Sequence, residues 1–440
     1  MHDHAWLSRR DLMRHSGLGL VGASLSGWFP RLANAALAEA ASSRAPRRQA
    51  VLLWMAGGPT QTDTFDMKPG HANGGVFDEV ATSVPGLRFS EHLPKLAEQA
   101  DQLAVIRSIS SKEGDHARAT QLARTGQSPG GDLEYPSIAC SLAGELPAPG
   151  GGLPGHVSIA TPTLLPAAFG PGFLGPHRTP ASVEATPPAG DGYASLRVEN
   201  LDLASGVSKE RFARRKRLWR SLQGEFLANR TDASLIAHDG LHRKAIELME
   251  GSAREAFDLG GEPETIRDAY GRGRFGQGCL LARRLLQRGV PFVEVSLGGD
   301  DLGWDTHIDG FRRVQELSTE LDNGWGTLMQ DLRTLGLLET TTVFCIGEFG
   351  RTPSINGAGG RDHFPDAWSC VLSGGGVAGG QAYGKTSDDG TTVVDGKVGI
   401  GDVLATFAAA LGVDPHTENV AGGDRPIKIA EGEPIAELLA

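Results

Sequence analysis

The sequence predicts an α/β protein, a mostly parallel sheet covered by helices on both faces. Three observations carry this. Apolar runs at 49–58 ("QAVLLWMAGG"), 291–299 ("PFVEVSLGG") and 340–349 ("TTTVFCIGEF") have the length and glycine borders of strands buried on both sides. Long helical stretches separate them, as the crossovers between parallel strands require. A polar cluster follows each run, where ligands gather in sheets of this kind.

Taken in order, residues 1–38 stand outside the fold. "SRRDLMR" (8–14) is a twin-arginine leader pattern, followed by a weakly apolar stretch over 15–30 and small residues offering cleavage after Ala35 or Ala38. The stretch is too short and too rich in Gly and Ser to span a bilayer. An exported protein, periplasmic or extracellular, with no transmembrane span is expected. Export by this route implies that the chain crosses the membrane already folded. The mature chain, 39–440, reads as a single domain. A short helix is expected over 92–102, a strand at 103–109 ("LAVIRSI"), and helices over 117–125 and 136–144. From Pro147 to about Ala204 the chain is rich in Pro and Gly and poorly periodic. Apart from "HVSIA" (156–160) it reads as surface insertion, and the inserted part extends to about 290. Helices follow over 208–258 and 264–288, then the strand at 291–299, a helix over 309–335 and the strand ending at Glu348. A strand at 368–376 ("WSCVLSGGG") and a helix at 401–413 ("GDVLATFAAALGV") complete the chain. "RFARRKRLWR" (211–220) is basic, either a solvated helix face or an anion-binding patch. No internal repeat is evident.

The 440 residues suffice for one large α/β domain with insertions. The net charge of −11 falls to −13 once 1–38 and its four arginines and two aspartates are removed. That excess argues against a nucleic-acid partner. The four cysteines (140, 279, 345, 370) form no Cys-x-x-Cys, so buried thiols are expected, with a disulfide as the alternative after export. No nucleotide or haem motif supports a redox enzyme.

The chemistry concentrates in the strand-end clusters. After the first strand come Thr60, Asp63 and Asp66. After "PFVEVSLGG", "WDTH" places Asp305 and His307 two residues apart, on one side of an extended segment. After the third, Glu348 and Arg351 are followed round the loop by Asp362 and His363. His116 precedes a helix. Carboxylate and imidazole ligands on one face suit zinc, with calcium, magnesium or manganese as alternatives. Carboxylates gathered in a cleft need a cation. Each residue also has a structural reading: turn caps for Asp63 and Asp66, an ion pair for Glu348–Arg351, a buried histidine for His363.

"WMAGGPTQTDTFD", "WDTH", "GEFGRTP", "GRDHFP", "LSGGGVAGGQAYGKTSDDG" and the late "GDVLATFAAALGV" together resemble the exported family known as domain of unknown function 1501, similar in turn to sulfatases and alkaline phosphatases. That resemblance implies an α/β/α sandwich, alkaline phosphatase-like, and hydrolysis of phosphate or sulfate esters at a divalent-metal site. It gives Asp305 and His307 as a ligand pair, Glu348 in place of an aspartate, and His363 as the final histidine. Phe349 stands where those enzymes carry a histidine, and Gly57-Gly58 where they carry acidic ligands, so Asp63 or Asp66 would have to substitute. His116 falls at the nucleophile position, as nucleophile, general acid or ligand, which argues against a formylglycine. Arg351 would clamp anionic oxygens of an ester or glycan substrate. The alternative is a non-catalytic exported binding or scaffold protein that keeps the fold.

Overall fold

The computed structural model describes residues 48–440, apart from 151, 164, 199–200, 202, 204, 229–232, 251, 300–301 and 423. The leader expected over 1–38 lies outside the described residues. The central sheet has nine strands: β1 (Gln49–Met55), β2 (Leu103–Ile109), β3 (His156–Ile159), β4 (Ala181–Thr186), β5 (Ser195–Val198), β6 (Phe292–Leu297), β7 (Thr341–Ile346), β8 (Trp368–Gly374) and β9 (Gln381–Tyr383). Their spatial order is β9-β2-β8-β7-β1-β6-β3-β4-β5. From β7 to β4 every pairing is parallel, and only β8 and β5 run against the rest. The α/β class with a mostly parallel sheet is therefore as the sequence predicts.

β1 shows why. Every residue in it is buried, and the period of two sends Val51, Leu53 and Met55 into one core and Ala50, Leu52 and Trp54 into the other. A strand with two buried faces has no polar face, so it reads as an unbroken apolar run. The first core is closed by α7 (Arg274–Gln287), α8 (Gly310–Leu321) and α9 (Thr327–Thr334), the second by α2 (His116–Thr125), α3 (Ile138–Glu145) and α10 (Ile400–Ala410). The result is a three-layer sandwich.

A buried ion pair ties α2 to the sheet. Arg124 Nη2 lies 2.5 Å from Glu294 Oε2 on β6, with its guanidinium over the rings of Trp54 and Phe169. At the other end of the same helix stands His116.

Three expectations change. Beyond the expected strand at 156–160, which is β3, the stretch from 147 to 204 also adds β4 and β5 to the sheet and so is not only surface insertion. β4 and β5 lie at its edge, with exposed positions alternating along both, and so lack the continuous apolar run. The expected helix over 208–258 divides into α4 (Lys209–Leu227) and α5 (Ala233–Glu250), and that over 264–288 into α6 (Glu264–Tyr270) and α7, parted by Gly271 at φ +91°. The helix over 309–335 is interrupted by a π-helical turn, Asp322–Gly326. Asp322 leaves the regular pattern to accept the Lys95 and Leu96 N–H groups at 3.1 and 2.9 Å, capping α1 (Pro94–Glu98). All four cysteines are buried and free. Among the described residues no helix is long and apolar enough to cross a membrane.

Candidate metal centre

β7, β1 and β6 end side by side, and the site is built on the loops that leave them. Glu348 follows β7 by two residues. The loop after β6 carries Asp305 and His307 and folds back over β1, where Trp304 N–H donates to Ala56 O at 3.0 Å. Gly57 permits this return: at φ +107°, a Cβ there would lie 2.5 Å from Asp305 N and 2.6 Å from Leu302 O. His363 sits on a two-stranded ribbon in which Gly350–Arg351 pairs antiparallel with His363–Phe364. His116 opens α2, behind the N-cap Asp115, whose carboxylate accepts Arg118 N–H.

Asp305 Oδ1 is the meeting point. His307 Nε2 lies 3.0 Å from it, His363 Nε2 3.2 Å, His116 Nε2 3.3 Å and Arg351 Nη2 2.7 Å. The other ring nitrogen of each histidine already has an oxygen partner at 2.8 Å. His116 Nδ1 faces Glu348 Oε1, His307 Nδ1 faces Asp362 Oδ1, and His363 Nδ1 faces the Gly114 carbonyl. When Nδ1–H donates to these oxygens, the Nε2 lone pairs are left on the Asp305 side. Metal-binding histidines are oriented in this way by an outer carboxylate or carbonyl.

These donors fit a divalent ion. A tetrahedral ion with bonds of about 2.0–2.1 Å sets its ligand atoms about 3.3 Å apart. The three nitrogens lie 3.0–3.3 Å from Oδ1, and His307 Nε2 is 3.0 Å from His363 Nε2. His116, Asp305 and His363 form a group whose ligand atoms all lie within 4.8 Å of one another. The charges agree. Burial raises the Asp305 carboxyl, but His116, His363 and Arg351 outweigh it and hold the group well below the usual carboxylate range. Burial opposes protonation of His116, yet contacts with Asp305 and Glu348 push it up to about 9. The cluster thus carries positive charge on His116 where a metal cation would replace the proton.

Several expected roles move. His116, expected as nucleophile, general acid or ligand, lies with Asp305 and His363 in the group whose atoms could hold an ion. Arg351 is fully buried, and its guanidinium donates to the carbonyls of Gly57, Gly58 and Arg361 as well as to Asp305. It is a fixed internal cation, not an arm extended to a substrate. Asp362 Oδ1 backs His307 and accepts from Asn356 Nδ2, so it fixes the His307 ring. Glu348 holds His116 and the Gly57 N–H through Oε1, while Oε2 is buried with no hydrogen-bond partner among the described residues. Asp63 and Asp66 stand apart from the donor group. Asp63 is paired with the buried Arg361, and Asp66 with Lys68 and Thr386 Oγ1. Their own cations satisfy them, which is why neither is free to ligate.

The sequence reading missed Arg361, the Gly114 carbonyl and the part played by Phe349. The Phe349 ring lies 5.0 Å from that of His116 and 4.6 Å from that of His363, an apolar wall behind both imidazoles. Gly58 makes room for it, since a Cβ there would meet the ring at 2.6 Å. Arg361 sits in the quoted motif "GRDHFP", but its partner is 298 residues away.

A family model described as a protein of unknown function, DUF1501, matches residues 47–439. No curated protein matches the chain. Similar solved structures include a protein in the alkaline phosphatase superfamily from Vibrio parahaemolyticus, 12% identical, with 90% of this chain and 71% of that chain covered and a TM-score of 0.41. The PsFucS1 sulfatase from Pseudoalteromonas sp. is 14% identical, with 87% and 71% covered and a TM-score of 0.39. The TAB5 alkaline phosphatase mutant His 135 Asp, with Mg bound in the M3 site, is 11% identical, with 84% and 100% covered and a TM-score of 0.37.

Proposed function

The chain belongs to the DUF1501 family, and from that premise and the strand-end cluster we propose a divalent-metal-dependent hydrolase of phosphate or sulfate esters. One observation carries the reading: three Nε2 atoms converge on Asp305 Oδ1 with every Nδ1 already engaged. Asp305, His116, His307 and His363 would hold the ion. Zinc suits this nitrogen-rich set, whereas calcium, magnesium and manganese favour oxygen. When bound, a zinc ion lowers the pKa of water and polarises an ester oxygen.

The chain's own residues supply the rest. His307, Asp305 and His363 are 37, 28 and 26% exposed, so one side of the cluster is open to a ligand. Arg351, held by three carbonyls, balances the Asp305 carboxylate. Glu348 Oε1 holds His116 Nδ1 and the Gly57 N–H in place. The ester class rests on the resemblance of the motifs, with phosphorylated or sulfated glycans as the expected substrates. A second reading, a metal-bearing binding protein without turnover, is favoured by Phe349, which replaces an imidazole with an inert ring.

The test is metal analysis of protein purified without chelator, with turnover of p-nitrophenyl phosphate and p-nitrophenyl sulfate. The hydrolase reading expects bound zinc, chelator-sensitive turnover, and loss of both in His363→Ala. Protein that takes up no divalent ion sinks the metal centre. Protein that holds the ion but turns over neither ester favours the second reading.

A further inference from the structure

We infer that α4 is an interfacial helix that docks the protein on an anionic phospholipid bilayer. This stands independently of the hydrolase reading, since α4 contributes nothing to the metal centre. The 19-residue helix carries seven basic and two acidic residues, a net charge of +5 on a chain whose total is −11. No residue in it is buried. Its inner side meets the body through Trp219, whose ring lies 5.7 Å from that of His242 on α5.

The outer side is the anomaly. Arg211, Arg215, Leu218 and Leu222 recur at intervals of four, three and four, and so form one stripe. Leu218 and Leu222 are 62 and 59% exposed. Among the described residues none of Arg211, Arg214, Arg215, Arg217 and Arg220 has an ion-pair partner. The contact with α5 is made by Trp219, so the leucines lie on a different side of α4 and do not serve that contact. Two exposed leucines beside unpaired arginines match both parts of an anionic lipid surface. The apolar side chains enter the acyl boundary, while the guanidinium groups stay with the phosphates on their flexible stems. A polyanion such as a sulfated polysaccharide or a nucleic acid would call for the arginines alone and would leave the leucines in water. With no described helix able to span a membrane, the contact lies in the plane of the surface.

Sedimentation with vesicles tests this, using mixed phosphatidylglycerol and phosphatidylcholine against phosphatidylcholine alone, with heparin as the non-lipid polyanion. The protein is expected to bind the mixed vesicles and not the neutral ones. Leu218→Ser/Leu222→Ser should weaken that binding by about 100-fold, roughly tenfold per leucine, and leave heparin binding unchanged. Arg211→Gln/Arg215→Gln should weaken both, vesicle binding by roughly 30-fold. Vesicle binding that survives the leucine changes, or binding to heparin without binding to vesicles, overturns the proposal. Should either variant fold poorly, hydrogen exchange of the wild-type chain decides. Vesicles must protect the α4 amides, and an unprotected α4 refutes the docking.

Discussion

Asp305, Asp362 and Asp63 carry the same carboxylate to three different ends, and their surroundings decide which. Asp305 Oδ1 is faced by three imidazole nitrogens and a guanidinium, so it is the anion at the centre of the group. Asp362 is half-exposed and holds the far nitrogen of His307 and the Asn356 amide. Asp63 is sealed against Arg361, each side chain 2% exposed. Loss of an outer partner of a metal-binding histidine typically weakens the metal by about 10–100-fold. Asp362→Ala should therefore lower zinc affinity by that factor and leave the urea midpoint of the metal-free protein in place. Asp63→Ala should instead cost about 3–5 kcal/mol of stability, because it strands a buried cation. Competition with a zinc-sensitive dye and urea titration separate the two, and an affinity loss confined to Asp63→Ala would reverse the assignment. Residue types were legible here but roles were not. "WDTH" paired Asp305 with His307, and it is a turn through Leu302–Thr306, not an extended chain, that brings His307 Nε2 to 3.0 Å from Asp305 Oδ1. Nothing local to Asp63 announced an arginine near the other end of the chain.

At the scale of elements, legibility followed burial. β1, β6 and β7 are buried on both faces and stood out as apolar runs, and their ends placed the site. β4 and β5 at the sheet edge alternate, and in a Pro/Gly-rich stretch that weak pattern was lost. β3 lies between these cases and brings a histidine into the core. His156 is buried, with Nδ1 3.8 Å from Cys140 Sγ and its ring 5.1 Å from that of Phe292. Burial pushes its pKa down to about 4, against a smaller upward pull from Glu294. An imidazole in the unfolded chain takes up its proton near 6.5. Between these values the unfolded state binds more protons, so stability falls as the pH drops from about 6.5 to about 4. Below that window this residue adds no further loss. The loss attributable to His156 is on the order of 3 kcal/mol. Urea unfolding at pH 7 and at pH 4.5 should show a smaller acid loss in His156→Leu than in the wild type. Equal losses in both would mean that the buried ring does not set this part of the pH profile.

Across the whole molecule, the centre joins parts of the chain that the sequence holds far apart. His116 pairs with Glu348 across 232 residues, and His363 with Asp305 across 58. The sheet does not need an ion to exist, since its strands are buried against their own helices. The loops are different. They bring three imidazoles together, one of them protonated up to about pH 9 without metal, around a single carboxylate. An ion that replaces that proton binds the folded arrangement and has no equal site in the unfolded chain. At a thousandfold excess over its dissociation constant, such a ligand stabilises the native state by about 4 kcal/mol. Chelation should therefore lower the thermal midpoint by several degrees, and added zinc should restore it. The change should also be local. On chelation, amides at 110–118, 302–310 and 347–365 should exchange faster, while those of β1, β6 and β7 keep their protection, because the sheet opens only with the whole molecule. A midpoint indifferent to chelator would mean that the histidines meet for structural reasons alone. Faster exchange throughout the sheet would mean that the ion holds the fold rather than the loops.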